Sequence, residues 1–269
     1  MIELQQVSFA YPSRHQLFHN FSLTFPEGRI TTILGSNGSG KSTLLKLAAR
    51  LLTPQQGQVL LDKRDLHSMR PKEVAKRISL LHQNNLPPEI TVETLVSYGR
   101  YPYQKCGQHL TERDMAAVEN ALAQVQLQEL RNSLLTRLSG GQRQRAFIAM
   151  ALAQDTDIVF LDEPTTYLDI NIRLELMDLV EFLNRQGKTI IMVLHDLNLA
   201  LEHSHHIVLL DLAKQGLIFL AASIVHDDDL ANARFLQRLH IGRQAIIRLV
   251  GGNDDGGELC STHDDNFLS

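Results

Sequence analysis

The sequence predicts an α/β fold in which parallel strands are buried on both faces and joined by helices. Three observations carry this. Residues 157–161 (DIVFL) and 189–194 (TIIMVL) are short, nearly all-apolar runs, separated by a helical pattern over 170–185 that Gly187 closes. Residues 29–34 (RITTIL) form a third compact, β-branched run, which ends at a glycine-rich loop. From Asn84 to about Ala153 strand-like runs disappear, so this stretch reads as a mainly helical insertion.

The composition fits. Of 269 residues, 43% are apolar and 21% charged, which excludes disordered, collagen-like and disulfide-stapled classes. A chain this long can bury a core without staples, as one large domain or a domain with a subdomain. Lys plus Arg number 26 and Asp plus Glu 30, a net charge of −4 with no electrostatic footprint for nucleic acid. Residues 223–269 hold four arginines and eight acidic residues, leaving 22 of each sign in residues 1–222. Cys106 and Cys260 are too few and too far apart for a disulfide framework or zinc site, so a reducing compartment is expected. The amino terminus, MIELQQVSFAYP, lacks the basic and long apolar regions of a secretory signal.

Taken in order, 2–11 and 17–25 read as strands, broken at Pro12 and at Pro26-Glu27-Gly28. After the glycine-rich loop, 42–52 reads as a helix ended by Thr53-Pro54. Residues 58–62 and 78–81 read as strands with a short helix near 71–77 between them. Thr111-Glu112-Arg113-Asp114 resembles a capping box, followed at helical spacing by Met115, Val118, Leu122 and Val125. Residues 207–225 are apolar and about long enough to span a bilayer, but Asp211 and Lys214 interrupt them. Charges at mid-bilayer cost roughly 2.5–3.5 kcal/mol each, so two strands joined by a turn at Lys214-Gln215-Gly216 are expected. The last residues, from about 251, are Gly/Asp-rich and read as a mobile tail.

Gly35-Ser36-Asn37-Gly38-Ser39-Gly40-Lys41-Ser42 satisfies G-x-x-x-x-G-K-[ST], with a strand before it and a helix after it. Glycines let backbone N–H groups close around phosphates, and the helix tip adds its dipole. Lys41 supplies charge to the outer phosphates and Ser42 a hydroxyl for Mg²⁺. The competing explanation is a chance Gly/Ser loop at a strand–helix junction, which the full match disfavours. Asp162 and Glu163 end an apolar strand, at the edge of the sheet where α/β folds bind ligands. Asp162 suits Mg²⁺, through water, and Glu163 suits an attacking water. Alone, the pair could equally be an acidic cap for the next helix.

Leu138-Ser139-Gly140-Gly141-Gln142 precedes a helical run over 143–153. Here the chain resembles the ATP-binding-cassette ATPases, whose signature motif this is. Its serine, glycine N–H groups and helix tip make a second anion site, implying that it completes another subunit's site. The resemblance covers residues 1–222. It implies an α/β P-loop NTPase core, a RecA-like mixed sheet with flanking helices, with an amino-terminal antiparallel β subdomain and an inserted helical subdomain at about 84–153. Residues 223–269 stay outside it as a divergent acidic segment.

The resemblance further implies Tyr11 stacking on adenine, Gln83 contacting Mg²⁺, Asp169 (of Leu168-Asp169) crossing a dimer interface, and His195 reaching the γ-phosphate. It implies Glu163 and His195 as catalytic. It puts Gly35 to Ser42, Thr43, Ser139, Gly140, Gly141, Gln142 and Asp162 around ATP, with Ser42, Gln83 and Asp162 on Mg²⁺. Without it, Tyr11 could be a core strand tyrosine, and one histidine among 12 would be unremarkable.

Several segments resemble importer ATPases for iron–siderophore, cobalamin and haem complexes: TVETLVSYGRYPY, LSGGQRQRAFIAMALAQDTDI, DEPTTYLDI and VLHDLNLA. This implies a bacterial homodimer sandwiching ATP, at the cytoplasmic face of the inner membrane. Its partners would be permease subunits and, indirectly, a periplasmic or lipid-anchored substrate-binding protein, with no nucleic acid. The GRYPY element, with Tyr98, Arg100, Tyr101 and Tyr103, would contact the permease, or else pack on the helical region as an ordinary loop. Alternatives are importers of cobalamin, haem, zinc or manganese, and a soluble cassette protein acting on ribosomes or DNA. A kinase or GTPase lacks support, since no N-K-x-D string is present and LSGGQ would be unexplained. Ser36 stands where the family often has proline, and the stretch after His195 diverges.

Overall fold

The structure, a computed structural model, describes residues 1–12, 17–81, 87–104, 109–166, 168–210 and the backbone of 221–223. The first half contains β1 (Ile2–Phe9), β2 (Phe18–Phe25), β3 (Ile30–Gly35), α1 (Lys41–Ala48), β4 (Gln56–Leu61), β5 (Arg64–Asp65), α2 (Pro71–Val74) and β6 (Ile78–Leu81). Three helices follow, α3 (Val92–Tyr98), α4 (Glu112–Gln124) and α5 (Gly140–Ala153). The rest is β7 (Ile158–Asp162), α6 (Ile170–Arg185), β8 (Thr189–Val193), α7 (Leu197–His203), β9 (His206–Leu210) and β10 (Ala221–Ser223).

Two sheets organise the described residues. One is antiparallel, ordered β2-β1-β4-β5. The other is ordered β10-β9-β3-β8-β7-β6, parallel from β9 to β6 with β10 antiparallel at one edge. Its strands alternate between two cores, as their all-apolar sequences require. Ile158 and Phe160 of β7, and Ile191 and Val193 of β8, pack with Leu44 and Leu45 of α1 and Ile2 and Leu4 of β1. Val159, Leu161, Ile190 and Met192 face the opposite core, with Val96, Val118, Phe147, Leu176 and Leu199 from α3 to α7. Because β3, β8 and β7 are neighbours, the loops leaving their carboxyl ends adjoin.

Among the described residues, 87–153 carry helices and one isolated bridge, Thr91 to Leu134. Thr111 caps α4 as the sequence implies: its hydroxyl accepts from Asp114 N–H, and Asp114 accepts from Thr111 N–H. Val118, Leu122 and Val125 are buried, but Met115 is 53% exposed. The inward position in that first turn belongs to Asp114, which pairs with buried Arg100.

Two further differences from the sequence reading are local. Helix α1 ends at Ala48, before Thr53-Pro54, because Arg50 takes a left-handed conformation (φ 64°) and the N–H groups of Leu51 and Leu52 turn back to Lys46 O. Strand β4 stops at Leu61 because Asp62 and Lys63, both at positive φ, make a two-residue hairpin to β5.

Strands β9 and β10 pair antiparallel, Val208 opposite Ala221, as expected for two strands rather than a span. No helix among the described residues is long and apolar enough to cross a membrane. The turn at Lys214-Gln215-Gly216, Gln83, Cys106, Cys260 and the carboxyl-terminal segment from 224, with its tail, lie outside the described residues.

Candidate functional site

The carboxyl ends of β3, β7 and β8 deliver the predicted groups to one place. Strand β3 runs into the phosphate loop, where Gly35 and Gly40 are required by space and torsion. A Cβ on Gly35 would lie 2.3 Å from Leu210 O, and Gly40, at φ 97°, abuts the Phe18 ring. Gly40 caps α1 without a side-chain hydrogen bond, so no capping side chain occupies the first N–H groups of that helix. Lys41 is buried and donates to Gly35 O (2.8 Å) and Ser36 O (3.0 Å). Burial holds its pKa below the ordinary lysine value, against the opposing pull of Glu163 and Asp162.

Strand β7 places Asp162 beside this loop: Ser42 Oγ donates to Asp162 Oδ1 at 2.9 Å. Two hard oxygen donors this close, next to a phosphate cradle, are the donor chemistry that Mg²⁺ takes. Glu163 follows at φ 52°, a left-handed conformation that costs a non-glycine residue on the order of 1–3 kcal/mol and clusters at functional sites. The turn swings its carboxylate to His195, at the end of β8, with Oε1 and Nε2 2.7 Å apart. Thr166 Oγ1 donates to the other oxygen, Oε2, at 3.3 Å. The arrangement can hold a carboxylate still beside a phosphate cradle, with a histidine half-exposed next to it.

Tyr11 flanks the cradle. Its hydroxyl is 3.2 Å from Thr43 Oγ1 on α1, and its ring meets Phe9 edge-on at 5.1 Å. Asn37, Gly38 and Ser39 complete the loop, with Ser39 N–H donating to Ser36 O. Ser36 thus takes part through its backbone, which tolerates serine at that position.

The signature motif is a separate cluster. Ser139 Oγ accepts from Gln142 N–H (3.2 Å) and Gln142 Oε1 accepts from Ser139 N–H (3.0 Å), a reciprocal cap on an exposed helix tip. Among the described residues no hydrogen bond or ion pair joins this tip to the phosphate loop. Asp169 Oδ1 caps α6 by accepting from Ile172 N–H, and Arg173 Nε donates to Leu168 O at 2.8 Å. From the sequence Thr165-Thr166 reads as the start of the next helix; the structure begins that helix at Ile170 and gives Thr166 instead to Glu163, three residues before it, while Ile172 and Arg173 read as ordinary helix residues.

The GRYPY element divides. Tyr98 and Tyr101 are exposed and stack on each other, centroids 5.0 Å apart. Arg100 and Tyr103 are turned inward, which corrects their grouping with the contact residues. Arg100 Nε bonds Asp114 Oδ1 (2.9 Å), its Nη1 donates to Ala153 O (2.7 Å), and its guanidinium lies 3.8 Å over the Tyr103 ring. Tyr103 Oη donates toward Gln154 O (3.0 Å). These groups satisfy carbonyls at the carboxyl end of α5 and complement its dipole. Burial pushes the Asp114 carboxyl up, but hydrogen bonds from Thr111 and Arg100 win and hold its pKa below the ordinary value.

A family model described as ABC transporter matches residues 18–166. The chain is 49% identical over 209 residues to the achromobactin transport ATP-binding protein CbrD of Dickeya dadantii, covering 77% of each chain. It is 40% identical over 245 residues to the ferric enterobactin transport ATP-binding protein FepC of Escherichia coli K12, covering 90% of this chain and 88% of that one. Among solved structures it resembles MJ0796, a bacterial ABC transporter cassette solved as a dimer. The TM-score is 0.68 and the identity 32%, over 78% of this chain and 94% of that one.

Proposed function

Since this chain belongs to the ABC transporter family, we propose that it is the ATP-hydrolysing subunit of a bacterial importer, powering uptake of an iron–siderophore or similar metal chelate through a membrane permease. One observation carries the reading. Among the described residues, one helix tip headed by small residues lies beside Ser42, Asp162, Glu163 and His195, and a second, capped by Ser139, is exposed on a separate element. The transport names of its relatives, for achromobactin and ferric enterobactin, support the chelate class.

In this reading residues 1–222 are the ATPase domain, with the helical subdomain at about 84–153 inserted, and 223–269 a separate segment. ATP lies with its adenine on Tyr11 and its phosphates on the loop from Gly35 to Thr43. Lys41 exchanges the carbonyls of Gly35 and Ser36 for phosphate oxygens. Ser42, Gln83 and Asp162 would hold Mg²⁺, which supplies charge neutralisation at the outer phosphates. Glu163, oriented by His195 and Thr166, takes a proton from the attacking water. The water oxygen bonds to the γ-phosphorus as the bond to ADP breaks. Ser139, Gly140, Gly141 and Gln142 of a second copy close on the same γ-phosphate, and Asp169 crosses between copies. A Cβ on Gly140 would meet nothing within 4 Å in its own chain, so this glycine, unfavourable in a helix, answers to something outside it. Closure is passed to permease subunits at the cytoplasmic face of the membrane by the region from Gln83 to Tyr103, where Tyr98 and Tyr101 offer an exposed aromatic pair. A substrate-binding protein delivers the chelate on the other side.

The test is Glu163→Gln. It should bind ATP, lose roughly 10²–10⁴-fold in turnover, and accumulate as an ATP-loaded dimer. Unchanged steady-state hydrolysis would refute the role of Glu163. Uptake assays with candidate chelates, in cells lacking the chain, test the substrate class.

A further inference from the structure

Gly140 and Gly141 head the same helix, yet their surroundings differ. A Cβ on Gly140 meets nothing within 4 Å; one on Gly141 would lie 2.4 Å from Ile172 Cδ1, 2.8 Å from its Cγ2 and 3.1 Å from its Cγ1. Neither glycine has a positive φ, so backbone torsion demands glycine at neither position. The reason for Gly141 therefore lies within the chain, and it is Ile172.

Ile172 cannot step aside cheaply. It is branched at Cβ, which fixes χ1 in a helix. Its N–H donates to Asp169 Oδ1 at 3.1 Å, and the next residue, Arg173, donates from Nε to Leu168 O at 2.8 Å. Leu168 is itself buried. The first turn of α6 is thus tied to the Leu168-Asp169 loop at one end and seated on the signature helix at the other.

We infer that Ile172 is a positioning residue for the nucleotide sandwich: lodged in the notch that Gly141 leaves, it makes the Ser139 tip and the Leu168-Asp169 loop one rigid unit facing the partner copy. This rests on the reading that the tip completes a second copy's site. Gly140 leaves room for the partner's nucleotide and Gly141 leaves room for Ile172. The two glycines should then respond differently to the same second substitution.

The experiment uses the full chain carrying Glu163→Gln, with ATP-dependent dimerisation read by sedimentation and ATP binding to the monomer read separately with a fluorescent analogue. Gly141→Ala should weaken dimerisation at least about tenfold, while leaving monomer binding unchanged; Ile172→Ala alone should weaken it about threefold. The pair Gly141→Ala with Ile172→Ala should dimerise at least about fivefold better than Gly141→Ala alone. Ile172→Val, which removes only Cδ1, should rescue in part. Gly140→Ala should gain nothing from Ile172→Ala. If Gly141→Ala is too unstable to dimerise, the same rescue should appear as a recovered thermal transition in the double variant with Ile172→Ala and not in the one pairing Gly140→Ala with Ile172→Ala. A double variant no better than Gly141→Ala overturns the inference, as does equal rescue of Gly140→Ala. A parent that stays monomeric with ATP overturns the sandwich reading, and the inference with it.

Discussion

Helices α1 and α5 present the same device, a helix amino terminus preceded by small residues, and finish it in opposite ways. At α1 the cap is Gly40 in a left-handed conformation with no side-chain bond, walled by Phe18 and closed over buried Lys41. At α5 the cap is Ser139, satisfied by Gln142, exposed and flanked by the open side of Gly140. In the proposed reading the first tip keeps its donors for a nucleotide on its own loop, and the second caps itself until a partner copy brings one. The same anion chemistry would then serve two purposes, with the capping side chain telling them apart.

The comparison breaks most visibly at the enclosed tip. Lys41→Ala should abolish measurable ATP binding, read by isothermal titration, because no other described cation is bonded into the loop. Retained affinity would mean that the loop backbone alone holds the nucleotide.

A large effect is also expected at the far end of α5, where Arg100 closes the helix. Arg100→Met should cost about 3–5 kcal/mol in denaturant unfolding, since it strands a buried carboxylate. The pH dependence has a definite sign. The folded pKa of Asp114 is depressed, so its contribution is present above the unfolded carboxylate pKa and is lost as pH falls through the folded one. Removing the guanidinium takes away part of what depresses it, leaving burial opposed by the Thr111 hydrogen bonds alone. Acid destabilisation should then begin at a higher pH than in the parent; an unchanged acid limb would contradict the pairing.

This buried pair marks what the sequence withheld. The phosphate loop, the Asp162-Glu163 pair and His195 are visible because each follows a strand that apolar periodicity identifies, and Ser139 because it heads a helical run. The extent of α6 is visible because Asp169 and Gly187 punctuate it. Asp114 read only as a cap, since nothing local tells that a residue 14 positions earlier comes to meet it. Arg100 likewise read as surface because arginine and tyrosine are common at interfaces. The left-handed turns at Arg50, Asp62, Lys63 and Glu163 carry no glycine or asparagine to announce them.

Smaller effects sharpen the contrast. Ser139→Ala should lose about 1 kcal/mol of stability with the cap, and ATP-dependent pairing should weaken while monomer ATP affinity holds. Equal loss of both would mean that the tip serves its own chain. Tyr101→Ala, at an exposed stacked ring, should change stability within roughly 0.5 kcal/mol yet reduce co-purification with the permease. Full recovery of the complex would remove the aromatic pair from that interface.

The most direct test mixes two damaged chains, each carrying Glu163→Gln. A tagged Lys41→Ala chain has a spoiled loop and an intact tip; an untagged Gly140→Trp chain has the reverse. If one nucleotide is held by the loop of one copy and the tip of the other, ATP should let the tagged chain capture the untagged one, though neither variant pairs with itself. Capture that is absent, or indifferent to ATP, would mean that each chain closes over its nucleotide alone.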